Sequence, residues 1–272
     1  MLVAAIPLVQ ARTWIPRFAR NDSRNEYSNC AMLQLVLKVP SASMACLVST
    51  MKRVVIPELL DTDSGNPAEI ATALSDLRNI NQWFGGVDTT QSMISEVARK
   101  MSASSVSLLE VAAGAGFVPL SAGVRLRESG LTLQVTLLDR AHSHLNKNGN
   151  SAVVGDALSL PFANESFDVV SCCLFIHHLE PREIFQFVNE AVRVCRVAVI
   201  INDVVRDLIH LALVYLSLPL YRSRLTHHDA PASVRRAYTV AEMHQMLEQT
   251  AAATVRVERH PLFRMGAIAW KK

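Results

Sequence analysis

The sequence lacks the long apolar run that a membrane-spanning helix requires. Such a helix needs about 20 consecutive apolar residues, and every apolar stretch in this chain of 272 residues is interrupted sooner. Half of the residues are hydrophobic and 19% are charged, a balance that is typical of globular rather than disordered chains. We therefore expect one sizeable globular domain with no stable membrane insertion.

The sequence also lacks a cysteine pattern for disulfides or metal. The cysteines are odd in number and lack metal-ligand spacing; they are Cys30, Cys46, Cys172, Cys173 and Cys195. Neighbouring residues on a strand point to opposite faces, so we interpret Cys172 and Cys173 as small buried apolar side chains. This pattern predicts no metal site and favours a cytoplasmic protein.

A basic surface is missing from most of the chain. The formal net charge is +3, and the segment 1–50 alone holds five basic and two acidic side chains. The remainder of the chain is therefore neutral. This argues against a nucleic-acid substrate or partner, since nucleic-acid binding requires a basic patch.

Residues 1–50 do not resemble the rest of the chain. Met1–Val9 is apolar without a preceding basic region, which disfavours a secretory signal. Trp14–Asp22 resembles a bacterial intergenic repeat read as coding sequence, and we expect the true start at Met51. The alternative is a weak targeting or membrane-surface arm. The predicted division is a disordered or non-native leader (1–50), an N-terminal helical cover (51–104) and the main domain (105–272).

Helix signals begin after residue 65. Asn66 and Glu69 form a predicted capping box with Pro67 at the first helical position, and apolar residues then recur at helical spacing. We predict helices over 67–81 and 88–101, packed over the mouth of the fold. Trp83 and Phe84 between them are interpreted either as core cover or as substrate contacts.

The chain is organised around Leu108–Leu120, where an apolar run ends in Glu110 and small residues lead into a helix. Gly114 and Gly116 permit positive φ and a close approach of backbone to a ligand. Pro119 suits a first helical turn. The pattern predicts a buried strand, a tight turn and a helix N-terminus, although an ordinary turn without a ligand has the same signature.

Further strands and helices alternate along the chain. Apolar or alternating segments at 132–138, 152–157, 167–175 and 197–201 read as strands, and 181–194 reads as an amphipathic helix. This order predicts a parallel, doubly wound α/β sheet that binds its ligand beyond the carboxyl ends of the strands. Polar residues stand at those ends: Glu110, Asp139, Asp156, Asn202 and Asp203.

Taken together, these segments resemble class I S-adenosylmethionine-dependent methyltransferases, and most of all the type 11 branch that includes quinone and polyketide methyltransferases. The resemblance covers about 105–272 and rests on an ordered set of motifs: Leu109–Leu120, Leu138–Arg140, Gly155–Phe162, Ser166–Val170 and His177–Leu179. It implies a Rossmann-like, seven-stranded sheet whose antiparallel last strand, 263–270, pairs with 253–260.

The resemblance implies S-adenosylmethionine as cofactor and assigns its site. Asp139 is expected to accept hydrogen bonds from both ribose hydroxyls, and Asp156 to accept one from the adenine amine. Glu110 is expected to lie near the positively charged end of the ligand. Where the family usually has glycine, this chain has Ala112, and the alanine methyl group narrows the turn. The complete predicted set is Glu110, Ala112, Gly114, Gly116, Asp139, Arg140, Asp156 and Ala157.

Two other functions compete for the same residues. A nicotinamide-dependent oxidoreductase would require G-x-G-x-x-G, which Ala112–Phe117 fits poorly. A noncatalytic binding or scaffold protein could retain the fold without turnover. Equilibrium binding of each cofactor would distinguish these functions.

The acceptor region follows the fifth strand. The mainly apolar segment 208–220 reads either as a core helix or as a hydrophobic roof over an acceptor pocket. His178, His228 and Asp229 are the predicted proton acceptors, with His177 and His227 behind them. We expect methyl transfer to O or C of a small hydrophobic or aromatic acceptor, such as a polyketide, quinone precursor or lipid-like metabolite. The acceptor, the choice of O or C, and the oligomeric state are left open.

Overall fold

The computed structural model describes residues 51–62, 64–142, 145 and 151–272, which all belong to one compact unit. The predictions for residues 1–50 lie outside the described residues. Within that described part, no helix is long and apolar enough to cross a membrane.

The described elements alternate between strands and helices after an N-terminal helical pair. The helices are α1 (Pro67–Trp83), α2 (Gly86–Met101), α3 (Phe117–Glu128), α4 (Pro181–Val194), α5 (Leu208–Ser217), α6 (Arg224–Arg236) and α7 (Val240–Leu247). The strands are β1 (Ser105–Val111), β2 (Thr132–Asp139), β3 (Ser151–Val154), β4 (Phe167–Cys173), β5 (Cys195–Val204), β6 (Thr254–His260) and β7 (Arg264–Trp270).

The strands form one seven-stranded sheet in the order β3-β2-β1-β4-β5-β7-β6. Pairs from β3 to β5 are parallel, whereas β7 runs antiparallel to both β5 and β6. The order reverses between β1 and β4, where the two halves of a doubly wound sheet meet. The predicted fold class, including the antiparallel last strand, is confirmed.

Helices cover both faces of the sheet. On one face, Leu109 and Val111 of β1 share a buried cluster with Phe187 of α4 and Met243 of α7. On the other face, Leu108 joins residues of α2 and α3, among them Ile94 and Leu126. Alternate residues of β1 therefore enter opposite cores, as the period of a strand buried on both sides requires.

The capping box predicted at Asn66 and Glu69 is confirmed in the structure. The Asn66 side chain accepts hydrogen bonds from the backbone N–H groups of Ala68 and Glu69, and the Glu69 carboxylate accepts from the Asn66 N–H. Helix α1 extends two residues beyond the predicted 67–81, to Trp83, whose exposed fraction is 46%. Helix α2 begins at Gly86 rather than at residue 88.

Three strands differ from their predicted bounds by two or more residues at one or both ends. Strand β3 ends at Val154 rather than 157, because Asp156 turns back to form a bridge with Ser159. Strand β4 ends at Cys173 rather than 175, because Leu174 takes a left-handed φ of 54°. Strand β5 continues to Val204 because β7 pairs along its length, so Asn202 and Asp203 lie inside the strand rather than beyond it.

Helix α5 is apolar but contributes no buried residue. Leu216 is 76% exposed, and Ile209 and Tyr215 are each 45% exposed. The alternative in which 208–220 forms a core helix is therefore wrong. The helix follows β5 at the carboxyl edge of the sheet and packs against α6 rather than on a sheet face.

Residues 51–62, which we call the strap, cross the carboxyl edge of the sheet. The Arg53 guanidinium donates to the Glu180 carboxylate at 3.0 Å, and the Val54 N–H donates to the Arg235 carbonyl at 3.0 Å. Arg206 Nε donates to the Met51 carbonyl at 2.7 Å. The strap is thereby bound to residues from the C-terminal half of the chain.

Candidate active site

The candidate site lies along the carboxyl ends of the central strands. Val111 at the end of β1 is in register with Leu138 of β2 and with Cys172 of β4. Cys173 of β4 is in register with Asn202 of β5. The segments that follow these strands therefore meet at one edge of the sheet, as the sequence predicts.

The turn after β1 has an unusual backbone. Ala112, Gly114 and Gly116 all have left-handed φ values, of 54°, 51° and 70°. A Cβ on Gly116 would lie 2.6 Å from Leu137 Cδ1, so this position has no room for a side chain. At Ala112, where the family usually has glycine, the methyl group is accommodated at a conformational cost of about 1 kcal/mol.

Asp139 joins this turn to the tip of β2. Its Oδ2 accepts from the Gly114 N–H at 2.8 Å, and its Oδ1 accepts from the Ala141 N–H at 2.9 Å. An ionised carboxylate has further lone pairs on each oxygen, so these bonds leave acceptor capacity for a ligand hydroxyl. Arg140 beside it is exposed.

Asp156 and Ala157 form a small loop beyond β3. Asp156 is exposed, and its Oδ1 accepts from the Leu158 N–H at 2.9 Å, which shapes the loop as an Asx turn. Gln186 of α4 donates to the Leu158 carbonyl at 3.0 Å. The loop stands at the same sheet edge as Asp139, because Val154 pairs with Asp139.

Glu110 lies beneath the turn. It is 2% exposed, and Ser171 on the neighbouring strand β4 donates a hydrogen bond to its carboxylate. Burial raises the pKa of Glu110 to about 7, and the Ser171 hydroxyl opposes this only in part. The residue is thus a titratable group close to neutrality, directly under the predicted cofactor turn.

His177 occupies a buried position between two carboxylates. Its Nδ1 lies 2.6 Å from Asp203 Oδ1, and its Nε2 lies 3.3 Å from Glu58 Oε1. Burial alone would lower the pKa of His177, but the carboxylates of Asp203 and Glu58 raise it to about 10. The Asp203 carboxylate also accepts from the His177 backbone N–H at 3.1 Å.

His178 lies next to His177 and closer to solvent. Its Nδ1 lies 2.8 Å from Asp61 Oδ2 of the strap, and its side chain is 18% exposed. The Arg236 guanidinium binds the His178 carbonyl and lies 3.8 Å from the same Asp61 oxygen. A carboxylate only accepts, so Asp61 fixes the tautomer with the proton on Nδ1 and leaves Nε2 as an acceptor.

His228 and Asp229 lie on α6, which contacts the Ile176–His178 turn. The Asp229 carboxylate accepts from the backbone N–H groups of Leu59 and Leu60, at 2.8 and 3.0 Å, so it anchors the strap. His228 Nδ1 lies 2.8 Å from Asp229 Oδ1, and the His228 side chain is 42% exposed. Their predicted catalytic roles remain predictions. His227 donates from Nε2 to the Tyr221 carbonyl at 3.0 Å.

Sequence reasoning missed Glu58 and Asp61 altogether. Asp61 and His178 are separated by 117 positions, and nothing in the strap's composition marks either acid. Asn202 and Asp203 were singled out only as residues at a strand end. Asn202 Nδ2 donates to the Gly86 carbonyl at 2.7 Å and to Thr90 Oγ1 at 2.8 Å, and thereby ties β5 to α2.

Comparison with known proteins agrees with this geometry. The family model described as "Methyltransferase domain" matches residues 109–201, from β1 to β5. The match includes the turn, Asp139, Asp156 and the His177–His178 pair. The segment 109–201 is therefore similar to methyltransferase domains, which agrees with the class I S-adenosylmethionine-dependent methyltransferase that the sequence motifs predict.

Solved structures of methyltransferases share the fold of this chain. The plantazolicin methyltransferase BpumL, in complex with a triazolic desmethylPZN analog and SAH, aligns with a TM-score of 0.58 at 11% identity over 79% of this chain and 95% of its own. The plantazolicin methyltransferase BamL gives 0.56 at 14% identity over 75% and 91%. No curated protein matches the chain.

Proposed function

We propose that this methyltransferase acts on an oxygen or carbon atom of a small hydrophobic or aromatic acceptor, such as a polyketide, a quinone precursor or a lipid-like metabolite. The observation that carries the cofactor half of the proposal is the turn after β1. Three of its residues, Ala112, Gly114 and Gly116, have left-handed φ, and Asp139 holds the turn at 2.8 Å. Backbone of this shape admits a ligand closely.

The proposed cofactor contacts follow from these positions. The Asp139 carboxylate would accept the two ribose hydroxyls, and Asp156 the adenine amine with the Ala157 N–H donating to a ring nitrogen. Arg140 lies beside Asp139 at the exposed rim of the site. Glu110 under the turn would face the positively charged end of the ligand. BamL and BpumL, which share the fold, are both seen in complex with SAH.

The proposed chemistry is an in-line displacement. When bound, the cofactor would supply a methyl group activated by its sulfonium, for transfer to an oxygen or carbon atom of the acceptor. The protein's own residues align the acceptor and exclude water. When a phenol or enol reacts, a base takes its proton; His178 and His228, whose tautomers are fixed by Asp61 and Asp229, are the proposed acceptors.

The apolar character of α5 supports a hydrophobic acceptor. The helix begins four residues after β5, at the carboxyl edge of the sheet, and presents Ile209 and Leu216 to solvent. An exposed apolar surface of this kind marks a ligand or partner contact. BamL and BpumL were solved with triazolic desmethylPZN analogs, but a likeness at 14% and 11% identity carries the fold and not the acceptor.

Two measurements test the proposal. Titration calorimetry with S-adenosylmethionine, SAH and a nicotinamide dinucleotide should give binding for the first two ligands only. A panel of phenols, enols and quinone precursors with methyl-labelled cofactor should then reveal a labelled product. Nicotinamide binding would favour an oxidoreductase, and cofactor binding without turnover on any acceptor would favour a scaffold.

His228→Ala tests the acceptor half of the proposal. We expect turnover to fall while the affinity for S-adenosylmethionine stays close to that of the wild type, because the His228 imidazole pairs with Asp229 of α6 rather than with the cofactor turn. His244→Ala is the matched control, since His244 on α7 is also partly exposed and pairs with Glu248. Loss of cofactor binding in the His228 variant would instead assign His228 to the structural framework.

A further inference from the structure

One group of side chains has a geometry that methyl transfer does not account for. Glu58 of the strap, His177 and His178 each present one ligand atom, and these atoms lie within 4.8 Å of one another. We call this group the histidine–carboxylate cluster. Glu58 and His177 are buried, and His178 is partly exposed.

Both imidazoles direct their Nε2 atoms towards the Glu58 carboxylate. His177 Nε2 lies 3.3 Å from Glu58 Oε1, and His178 Nε2 lies 3.8 Å from Glu58 Oε2. The second distance is too long for a hydrogen bond. The first distance matches the roughly 3.3 Å that tetrahedral bonds of ~2.0–2.1 Å place between two ligand atoms, and the second is longer and involves the other Glu58 oxygen.

Each imidazole is held from behind by another carboxylate. Asp203 lies 2.6 Å from Nδ1 of His177, and Asp61 lies 2.8 Å from Nδ1 of His178. Metal-ligating histidines almost always donate their second ring N–H to such a group, because this fixes the ring and raises its basicity. Both histidines of the cluster have this arrangement.

Three carboxylates surround the two imidazoles. Those of Glu58 and Asp203 are buried, and that of Asp61 lies 3.8 Å from the Arg236 guanidinium. A buried carboxylate is stabilised by a cation close to it. A divalent cation at the point where the three ligand atoms converge would be such a partner.

We propose that Glu58, His177 and His178 bind a divalent transition-metal ion, with zinc as the expected ion. Two imidazoles and one carboxylate are the donor set of open zinc sites, which keep a further position for water or another oxygen ligand. That position would face solvent beside His178 and Asp61, whose side chains are 18% and 41% exposed. The sequence predicted no metal site, because it places these ligands far apart in the chain.

The ion would determine which residue remains free for proton transfer. Coordination would occupy Nε2 of His178 and leave His228 as the proposed proton acceptor. The open position would suit the oxygen of an acceptor, whose pKa the ion would lower. Ion binding itself does not depend on the identity of the acceptor, nor on S-adenosylmethionine as cofactor.

The test is metal binding by the full-length chain after dialysis against a chelator. Titration calorimetry should give one zinc ion per chain with micromolar or tighter affinity, and zinc should raise the melting temperature. Cobalt(II) should bind with visible absorption of a low-coordinate nitrogen and oxygen site, without the intense near-ultraviolet band of a thiolate ligand. This readout separates the cluster from binding at any cysteine.

Three variants complete the test. His178→Ala should weaken zinc binding at least a hundredfold, and Asp61→Asn, which removes only the supporting carboxylate, about tenfold to a hundredfold. His178 is partly exposed, so its variant is expected to fold, which circular dichroism checks. His244→Ala, on the remote helix α7, should bind zinc like the wild type.

The proposal is overturned if the wild type takes up no stoichiometric zinc or cobalt, or if His178→Ala binds them unchanged. The cluster would then be a network of imidazoles and carboxylates that fixes the strap. A failure of methyl transfer with zinc binding intact would count against the proposed function alone, so the two proposals fail separately.

Discussion

The carboxyl edge of the sheet is built in two different ways. On the side of β1, β2 and β3, which we call the turn half, the polar groups bond to backbone nearby, as Asp139 does to Gly114 and Ala141. On the side of β4 and β5, which we call the strap half, side chains bind partners from distant segments. Asp229 captures the N–H groups of Leu59 and Leu60 across 170 and 169 positions.

The burial of the two halves differs as well. Asp203 and His177 in the strap half are 1% and 2% exposed, whereas Asp139 is partly exposed and Asp156 is exposed. Buried, paired charges affect stability when one partner is removed, and accessible acceptors affect ligand affinity. The comparison predicts that the strap half governs folding stability and the turn half governs cofactor affinity.

The largest effect is expected for Asp203→Asn in the strap half. The change removes a buried charge that faces His177 at 2.6 Å, and should lower the free energy of unfolding by about 3–5 kcal/mol. Denaturant unfolding measures it. Asp88→Asn is the control, since Asp88 pairs with Arg125 at an exposed site and should cost less than about 1 kcal/mol. Equal losses in both variants would contradict the division of roles.

Glu110→Gln tests the one buried acid of the turn half. The folded-state pKa of Glu110, about 7, is raised above its usual value, so the protonated carboxyl favours the fold. Its contribution is fully present below about pH 4.5 and is lost as the pH rises through about 7, a change of up to about 3 kcal/mol. The free energy of unfolding, measured from pH 5 to 8, should fall less steeply in the variant.

A control of opposite sign is available for this experiment. Arg193 lowers the pKa of Glu190, so the contribution of Glu190 is present above its unfolded pKa and is lost on acidification. Glu190→Gln should therefore leave the slope between pH 5 and 8 nearly unchanged. A wild-type slope that survives in Glu110→Gln would show that another group titrates in this range.

Gly116→Ala and Gly114→Ala form a matched pair within the turn. Both glycines have left-handed φ, but an added Cβ meets Leu137 Cδ1 at 2.6 Å at Gly116 and nothing within 4 Å at Gly114. We expect a loss of stability of about 1 kcal/mol for Gly114→Ala and roughly 2–3 kcal/mol for Gly116→Ala. Equal melting temperatures for the two variants would show that the turn yields to the extra methyl group.

Asp139→Asn should have a small effect in free energy and the most specific one. The amide loses the charge and one acceptor oxygen, so the affinity for S-adenosylmethionine should fall about tenfold or more, or about 1.4 kcal/mol. Titration calorimetry compares wild type and variant. Because Asp139 also accepts from Gly114 and Ala141, a slight fall in melting temperature is expected. Unchanged affinity would make Asp139 only a turn residue.

Sequence reasoning succeeded where the determining contacts are local. The capping box at Asn66 and Glu69 and the helix at Pro181–Val194 depend on neighbours within a few positions. The partner of the turn around Gly114 is farther away, but Asp139 ends the next strand and lies only 25 positions along the chain. The family motifs follow the same segments, so the sequence could assign cofactor residues one by one, and these assignments stay predictions.

The rest of the site depends on tertiary contacts without a local signature. The strap has no helical or strand period, and its acids Glu58 and Asp61 acquire meaning only beside His177 and His178. Apolar composition was misleading at α5, where Leu216 is 76% exposed. Composition indicates which residues favour burial, but the position of a segment at the edge of the sheet decides whether a covering layer exists.

The strap has a consequence for synthesis on the ribosome. Its residues are translated before every segment that holds them: Glu180, Asp229, Arg235 and Arg206 are all made more than a hundred residues later. The turn half, in contrast, has all its parts once β3 has left the exit tunnel. Folding during synthesis proceeds from the N-terminus. The strap is nevertheless among the last segments to reach its folded position, because it cannot bind its partners until α6 has emerged from the ribosome.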